Sequence, residues 1–218
     1  MLGPLVVSIV GIGKGSVKKF ADIGVRDSKL LTPKRREELY DQIRDVASAI
    51  EVGVISAGEI NEAMAKGISL NELEASHFAQ LFDKVKHDVG ELYLDSPDVI
   101  EERFGMRVNM YSKKPTRVVG IRGSRKSGVR YTKVVSEHKA DVKYPVVSAS
   151  SIISKVTRDM EIRKLCKTSG IDFGSGYPSD FKTIDAVRKN IGNAYVEKNI
   201  RKYWKTIGRI KQTKLSYF

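Results

Sequence analysis

The sequence predicts an α/β domain followed by a basic, helical C-terminal extension, and three observations carry that prediction. Strand-length apolar segments alternate with 3.6-periodic segments through the first ~165 residues. After them come only a Gly/Pro loop and helical patterning. The 218 residues are enough for one large domain, or for a domain with a small appendix. A chain of that size buries roughly 70% of its unfolded surface and requires no disulfide or metal staple.

Taken in order, Leu5 to Ile12 is a continuous apolar run of strand length, and Gly13 to Ser16 turns the chain after it. Thr32-Pro33 starts a helix, with Thr as N-cap and Pro at the first helical position. Leu39, Ile43, Val46 and Ile50 recur at helical spacing and extend that helix to Ile50, before a short strand over Glu51 to Ile55. Asn71 can cap a helix whose apolar face is Leu73, Phe78, Leu81, Phe82 and Val85. Leu92 to Asp95 is a strand ending in an acid, and Arg130 to Glu137 is a second one, carrying Tyr131, Thr132, Val134 and Val135. Between them, Arg107 to Gly128 has the weakest periodicity and is expected as a flexible basic loop. Val146 to Leu165 is a helix rich in small and β-branched residues, suited to packing on a sheet. Phe173 to Asp180 is a loop, and Thr183 to Ile210 is helical in one or two pieces. No internal repeat is visible.

Composition excludes several classes. Apolar residues at 41%, charged residues at 30% and only six prolines exclude a disordered chain. The single cysteine, Cys166, excludes a disulfide framework and any multi-Cys metal site, and fits a reducing compartment. No apolar run approaches the ~20 residues of a membrane span. Met1 to Ile12 has neither the basic start nor the small-residue cleavage site of a signal peptide. The expectation is a soluble, cytoplasmic protein.

Charge points to the partner. Thirty-nine Lys and Arg against 26 Asp and Glu give +13. Arg107 to Lys139 holds ten basic residues and one acid, and Lys182 to Lys214 holds ten basic and two acidic residues. Together these segments exceed the net charge of the whole chain, so the remainder is slightly acidic. Basic segments on a near-neutral body are the electrostatic footprint of a polyanion-binding protein. Neither segment is a basic amphipathic helix with a Trp/Phe face, which disfavours a membrane surface.

Gly11-Ile12-Gly13-Lys14-Gly15-Ser16 looks like a phosphate loop but departs from its pattern. Gly15 separates Lys14 from Ser16, and Ser8 stands where the first glycine belongs, so a hairpin turn is the better reading. His77, His87 and His138 are too far apart for a zinc helix motif. The acids say more. Asp95 ends one strand and Asp141 follows another, so both can face one cleft at the sheet edge. Carboxylates so placed hold hard cations such as Mg²⁺ or Mn²⁺, and with a polyanionic substrate they suggest metal-assisted phosphodiester hydrolysis. Two turn or N-cap aspartates are the alternative that spacing leaves open.

Six segments occur in one order: Asp27-Ser28-Lys29 with Leu31-Thr32-Pro33, Leu70-Asn71-Glu72-Leu73-Glu74, Tyr93-Leu94-Asp95-Ser96, Glu137-His138-Lys139-Ala140-Asp141, the run Val147 to Asp159, and Gly174-Ser175-Gly176-Tyr177-Pro178-Ser179-Asp180. The series resembles type 2 ribonuclease H (ribonuclease HII), in its archaeal branch, from about Leu2 to about Thr206. The resemblance implies a ribonuclease H-like fold, a mixed sheet flanked by helices, over 1–170, and a small basic helical C-terminal domain over 171–218. It implies an endoribonuclease that cuts the RNA strand of RNA–DNA hybrids and cuts at ribonucleotides embedded in duplex DNA. It also implies two Mg²⁺ or Mn²⁺ ions held by four carboxylates, of which Asp95 and Asp141 match two. Tyr177 matches the tyrosine that packs on the ribose, while Ser28, Lys29, Asn71 and Lys139 match positions lining the nucleic-acid cleft. A monomer is expected, and Leu215-Ser216-Tyr217-Phe218 is a candidate docking tail for a sliding clamp.

The family's first strand ends in an Asp-Glu pair and enters a Gly-Arg-Gly loop just before the segment matched by Gly3-Pro4-Leu5-Val6-Val7. The sequence opens at Met1-Leu2-Gly3-Pro4, so these features are not in it. Two ions about 3.5–4 Å apart repel strongly unless carboxylates screen them, and Asp95 and Asp141 neutralise only half their charge. Glu137 stands on a strand whose side chains alternate faces, which gives no ground for using it as a replacement. The expectation is that Met1 is an internal methionine and that the natural protein is an ordinary nuclease. The alternative is a catalytically inactive module that binds hybrids, and a replication or ribosome scaffold rests on charge alone.

Overall fold

The computed structural model describes residues 1–26, 28–122 and 127–215, without the side chains of Lys29 and of residues 213–215. In chain order the elements are β1 (Leu5–Gly11), α1 (Lys18–Asp22), α2 (Pro33–Val46), β2 (Ala49–Ile55), α3 (Ala57–Ala65), α4 (Leu70–Lys84), β3 (Glu91–Asp95), α5 (Glu101–Tyr111), β4 (Thr116–Val118), β5 (Thr132–Glu137), α6 (Ala140–Lys143), α7 (Pro145–Ser169), α8 (Phe181–Asn190), α9 (Ala194–Asn199) and α10 (Lys205–Leu215). They form two compact units: Met1–Val6 with Val54–Leu70 and Thr157–Phe218, and Val7–Gly53 with Asn71–Val156.

In the second of these, strands form a β1–β2 pair and a parallel β3–β5–β4 sheet. The middle of β1 is buried without alternation, as a strand covered on both faces requires. Val10, Phe20, Val25, Leu31, Leu39 and Ile43 pack with Ala149, Ile152, Ile153 and Val156 of α7 in one core. The serines of α7 have a specific use. Ser8 Oγ lies 2.9 Å from both Ser150 Oγ and Ser154 Oγ, and Ser150 Oγ donates to the Ser8 carbonyl at 2.7 Å. Small hydroxyl side chains bring helix and strand backbones close while satisfying buried polar atoms.

The other unit has its own core. Met1, Leu2, Ile162, Phe173, Val187, Val196, Ile200 and Ile207 are buried together. Buried Arg201 donates to the carbonyls of Gly3 at 3.1 Å and Pro4 at 2.7 Å, tying the N-terminal residues to α9 and α10.

Five expectations change. The helix over Thr32 to Ile50 stops at Val46, because the Ser48 N–H bonds the Gly11 carbonyl at 2.8 Å and draws the chain into pairing with β1. Asn71 is the second residue of α4 and not its cap. Arg107 to Gly128 is not all loop: α5 runs into it, with Phe104 and Val108 fully buried, and β4 pairs with β5. The C-terminal helical stretch is in three pieces, broken at left-handed Gly192 and again after Ile200. The chain does turn after β1, but through a 3₁₀ turn over Lys14–Ser16 that leads into α1 and not through a hairpin.

Candidate active site

The acidic site is assembled by one unusual turn. Strand β3 ends at exposed Asp95, in register with Glu137 at the end of β5. Past β5, Lys139 adopts φ 56° and ψ 32°, the left-handed region that L side chains avoid. It is the single non-glycine residue with positive φ among the described residues. Such a conformation costs on the order of 1–3 kcal/mol and collects at functional sites. Here it swings the start of α6 back toward β3, so that the Ala140 N–H donates to Asp95 Oδ1 at 3.0 Å. Asp141 follows directly, 4% exposed, with its carbonyl accepting the Ser148 hydroxyl of α7. This hydrogen bond ties the Asp95 carboxylate to the backbone of the residue just before Asp141.

Glu137 does not join them. Its carboxylate accepts from Lys143 Nζ at 2.6 Å and Tyr144 Oη at 3.2 Å, and the Lys143 hydrogen bond holds its pKa below the usual carboxylate range. The Tyr144 ring packs on Tyr93 of β3 at 4.3 Å between centroids.

Among the described residues, no three or more His, Cys, Asp or Glu gather closely enough to hold a metal ion. Asp95 and Asp141 are two hard oxygen donors, not the Cys and His ligands that dominate zinc sites. They do suit Mg²⁺ or Mn²⁺. Mg²⁺ typically takes one or two protein carboxylates and completes its shell with water and substrate phosphate.

A polar network absent from the sequence reading lies just beyond β3. Asn71 Nδ2 donates to Asp98 Oδ1 at 2.7 Å, and Arg107 Nε donates to Asp98 Oδ2 at 3.1 Å. Arg107 also pairs with Glu72, which accepts from the Tyr111 hydroxyl. His138 Nε2 lies 2.7 Å from the Asp98 carbonyl, and the His138 N–H donates to Glu101 Oε1 at 2.7 Å. Asn71 is therefore held by a buried carboxylate on the loop that leaves Asp95. The sequence signal for it was the spacing of Asn71-Glu72 and Arg107 on two helices, which has no reading until the helices are placed.

Ser28 is fully buried, 2.9 Å from Ser151 Oγ and accepting from Lys155 Nζ, so its hydroxyl serves the interior. The Lys29 side chain and Asp27 lie outside the described residues.

The Tyr177 loop is built by its glycines and by Asp180. Gly174 and Gly176 have φ of 61° and 75°. Asp180 caps α8 through the Lys182 N–H, and its other oxygen accepts the Ser175 N–H and Ser175 hydroxyl at 2.7 Å and the Thr183 hydroxyl at 3.0 Å. These bonds, that of the Ser175 N–H foremost, hold its pKa far below the carboxylate range. Buried Arg158 donates to the Ser175 carbonyl at 2.9 Å, and its guanidinium lies 3.6 Å from the centre of the Tyr177 ring. Tyr177 is 40% exposed, a ring with a fixed cation on one face.

The ribonuclease HII family model matches residues 1–207. The ribonuclease HII of Pyrococcus furiosus is 37% identical over 217 residues, covering 97% of this chain and 86% of the relative. The crystal structure of the ribonuclease H2 from Pyrococcus horikoshii OT3 has a TM-score of 0.78 at 35% identity, covering 97% of this chain and 92% of that one. The ribonuclease HII of Archaeoglobus fulgidus, solved in complex with PCNA, gives 0.77 at 35% identity, covering 100% and 94%. Since the matched span includes the Lys139 turn, both aspartates and the Tyr177 loop, the chain belongs to the ribonuclease HII family.

Proposed function

We propose that this protein hydrolyses phosphodiester bonds in the RNA strand of RNA–DNA hybrids and cuts at ribonucleotides embedded in duplex DNA. The observation that supports this reading is the Asp95–Ala140 hydrogen bond, which ties the carboxylate at the end of β3 to the residue preceding Asp141. Asp95 and Asp141 would hold Mg²⁺ or Mn²⁺, two ions in the complete family site. A divalent ion bound there supplies Lewis-acid stabilisation of charge on phosphate oxygens and lowers the pKa of a bound water.

The chain's own groups do the rest. Exposed Lys139 offers an ammonium to a phosphate, and Asn71, fixed by Asp98, offers an amide to the strand. Tyr177 packs on the ribose, where a 2′-hydroxyl distinguishes RNA from DNA. Arg158 behind the ring keeps it in place. The Ser28-Lys29 segment is assigned to the cleft; Ser28, fully buried, serves it by anchoring the segment to Ser151 and Lys155. Catalysis is assigned to 1–170, and phosphate contacts to the basic helices within 171–218.

Family membership favours hydrolysis, and nothing in the comparisons favours a binding-only module. We further assign a monomer working in the cytoplasm; no helix among the described residues is long and apolar enough to cross a membrane. A sliding clamp is the proposed docking partner of the tail at 215–218, most of which lies outside the described residues. Asp141→Asn tests the central reading: hybrid cleavage should be abolished while hybrid affinity stays within a few-fold. Undiminished cleavage would sink the assignment.

A further inference from the structure

We propose that the groove between α5 and β4 is a second nucleic-acid site, one that takes an unpaired single strand running on from the bound duplex; this rests on the function proposed above. The groove has a volume of about 640 Å³. Its lining is cationic and apolar: Arg103, Arg117 and Arg122 surround Met106, Met110 and Tyr131. The one acid in the lining, Glu72, is engaged with Arg107 and Tyr111. Among the described residues, Arg103, Arg117 and Arg122 make no ion pair. Three guanidiniums around one concavity repel each other and lower the cost of binding an anion there.

Size decides which anion. The volume is that of a small-ligand pocket, enough for one nucleotide unit and far too narrow for a duplex. An unstacked base can lie against Tyr131 and the methionine side chains while the arginines meet phosphates, the combination by which proteins hold single strands. Met106 and Met110 are 46% and 66% exposed, so the apolar wall is open to such a base. The groove adjoins the network that holds Asn71 through Glu72 and Arg107, but its other residues lie away from the acidic end of the sheet. In the parallel sheet, Thr116 at the start of β4 pairs with Thr132 at the start of β5, whereas Asp95 pairs with Glu137 at its end. A strand must therefore leave the duplex to reach it.

The test is fluorescence anisotropy in metal-free buffer with two probes, a blunt RNA–DNA hybrid and the same hybrid carrying a single-stranded DNA extension of about ten nucleotides, within the usual single-strand site size. Wild type should bind the extended probe about tenfold more tightly, as stacking of one base and paired phosphates together provide. Arg103→Ala/Arg117→Ala/Arg122→Ala should bring the two affinities within about twofold, with blunt-hybrid cleavage unchanged. Met106→Glu, which places a negative charge in the groove without removing an arginine, should do the same. Equal affinity of wild type for both probes, or an advantage that survives the variants, would overturn the proposal and leave an acidic peptide as the better occupant. Failure of wild type to cut the blunt hybrid in Mn²⁺ would instead overturn the proposed function.

Discussion

Replacing Gly176 with alanine strikes the Tyr177 loop at its tightest point. Gly176 sits at φ 75°, and a left-handed conformation costs an L residue about 1–2 kcal/mol. A Cβ there would stand 2.8 Å from Ile162 Cδ1, 2.9 Å from an Arg158 guanidinium nitrogen and 3.1 Å from the Leu2 carbonyl oxygen. The guanidinium can move, but only by leaving the Tyr177 ring or the Ser175 carbonyl. Ile162 is 3% exposed and the carbonyl belongs to the backbone, so neither yields cheaply. Overpacking of this kind costs about 1–3 kcal/mol, and the lost unfolded-state freedom of glycine returns less than about 1 kcal/mol. The net expectation is a loss of about 2–4 kcal/mol, a large share of a typical stability of about 5–15 kcal/mol. Guanidinium unfolding would read it as a lower midpoint at unchanged slope. Because Arg158 is displaced, cleavage at a single embedded ribonucleotide should fall more than cleavage of a long hybrid. A midpoint shift worth less than about 0.5 kcal/mol, with unchanged substrate preference, would refute the reasoning.

Substitutions at three further positions probe the same framework. The Asp180 carboxyl is held below its ordinary pKa of 3.8, so its stabilisation is present above that pH and fades as pH falls through the lower folded-state value. The melting-temperature gap between wild type and Asp180→Asn should therefore be widest above about pH 4 and narrow in stronger acid. At the Lys139 turn, Lys139→Gly should be neutral or stabilising by up to about 1 kcal/mol in thermal unfolding, whereas Lys139→Val should cost about 1–2 kcal/mol. Both should weaken hybrid binding by removing the ammonium. Gly105→Ala puts a Cβ 2.9 Å from Ser136 Cβ and 3.2 Å from a Val118 methyl, wedging α5 off β4 and β5, and should cost about 1–3 kcal/mol in denaturant unfolding.

Much of this was legible because each element carries a local signal. The Thr32-Pro33 start of α2 is bonded as the capping rule requires, Thr32 Oγ1 accepting the Arg35 N–H at 3.2 Å. The acids ending β3 and following β5 were readable from strand polarity alone. Other features depend on long-range contacts that no short window contains. The helix expected to reach Ile50 loses its last turn to pairing with β1, 37 residues upstream of Ser48. Helix α5 starts ahead of the weakly periodic stretch at Arg107 and runs into it, and its short buried face of Phe104, Gly105 and Val108 gives little periodic signal. Asp98, Arg107 and Arg158 were invisible as functional residues. Each acts through a partner on another element, and a single sequence does not say which elements meet. Ser28 was assigned from resemblance to the cleft, while its hydroxyl turns inward to Ser151 and Lys155.

The central claim is that Asp95 and Asp141 form a hard-cation site serving phosphodiester cleavage. Calorimetric titration of Mn²⁺ into the folded protein and its Asp141→Asn variant tests that claim without relying on turnover. Wild type should bind Mn²⁺, and the variant should bind it at least about tenfold more weakly, as loss of a direct ligand requires. Equal Mn²⁺ affinity in both proteins would contradict it.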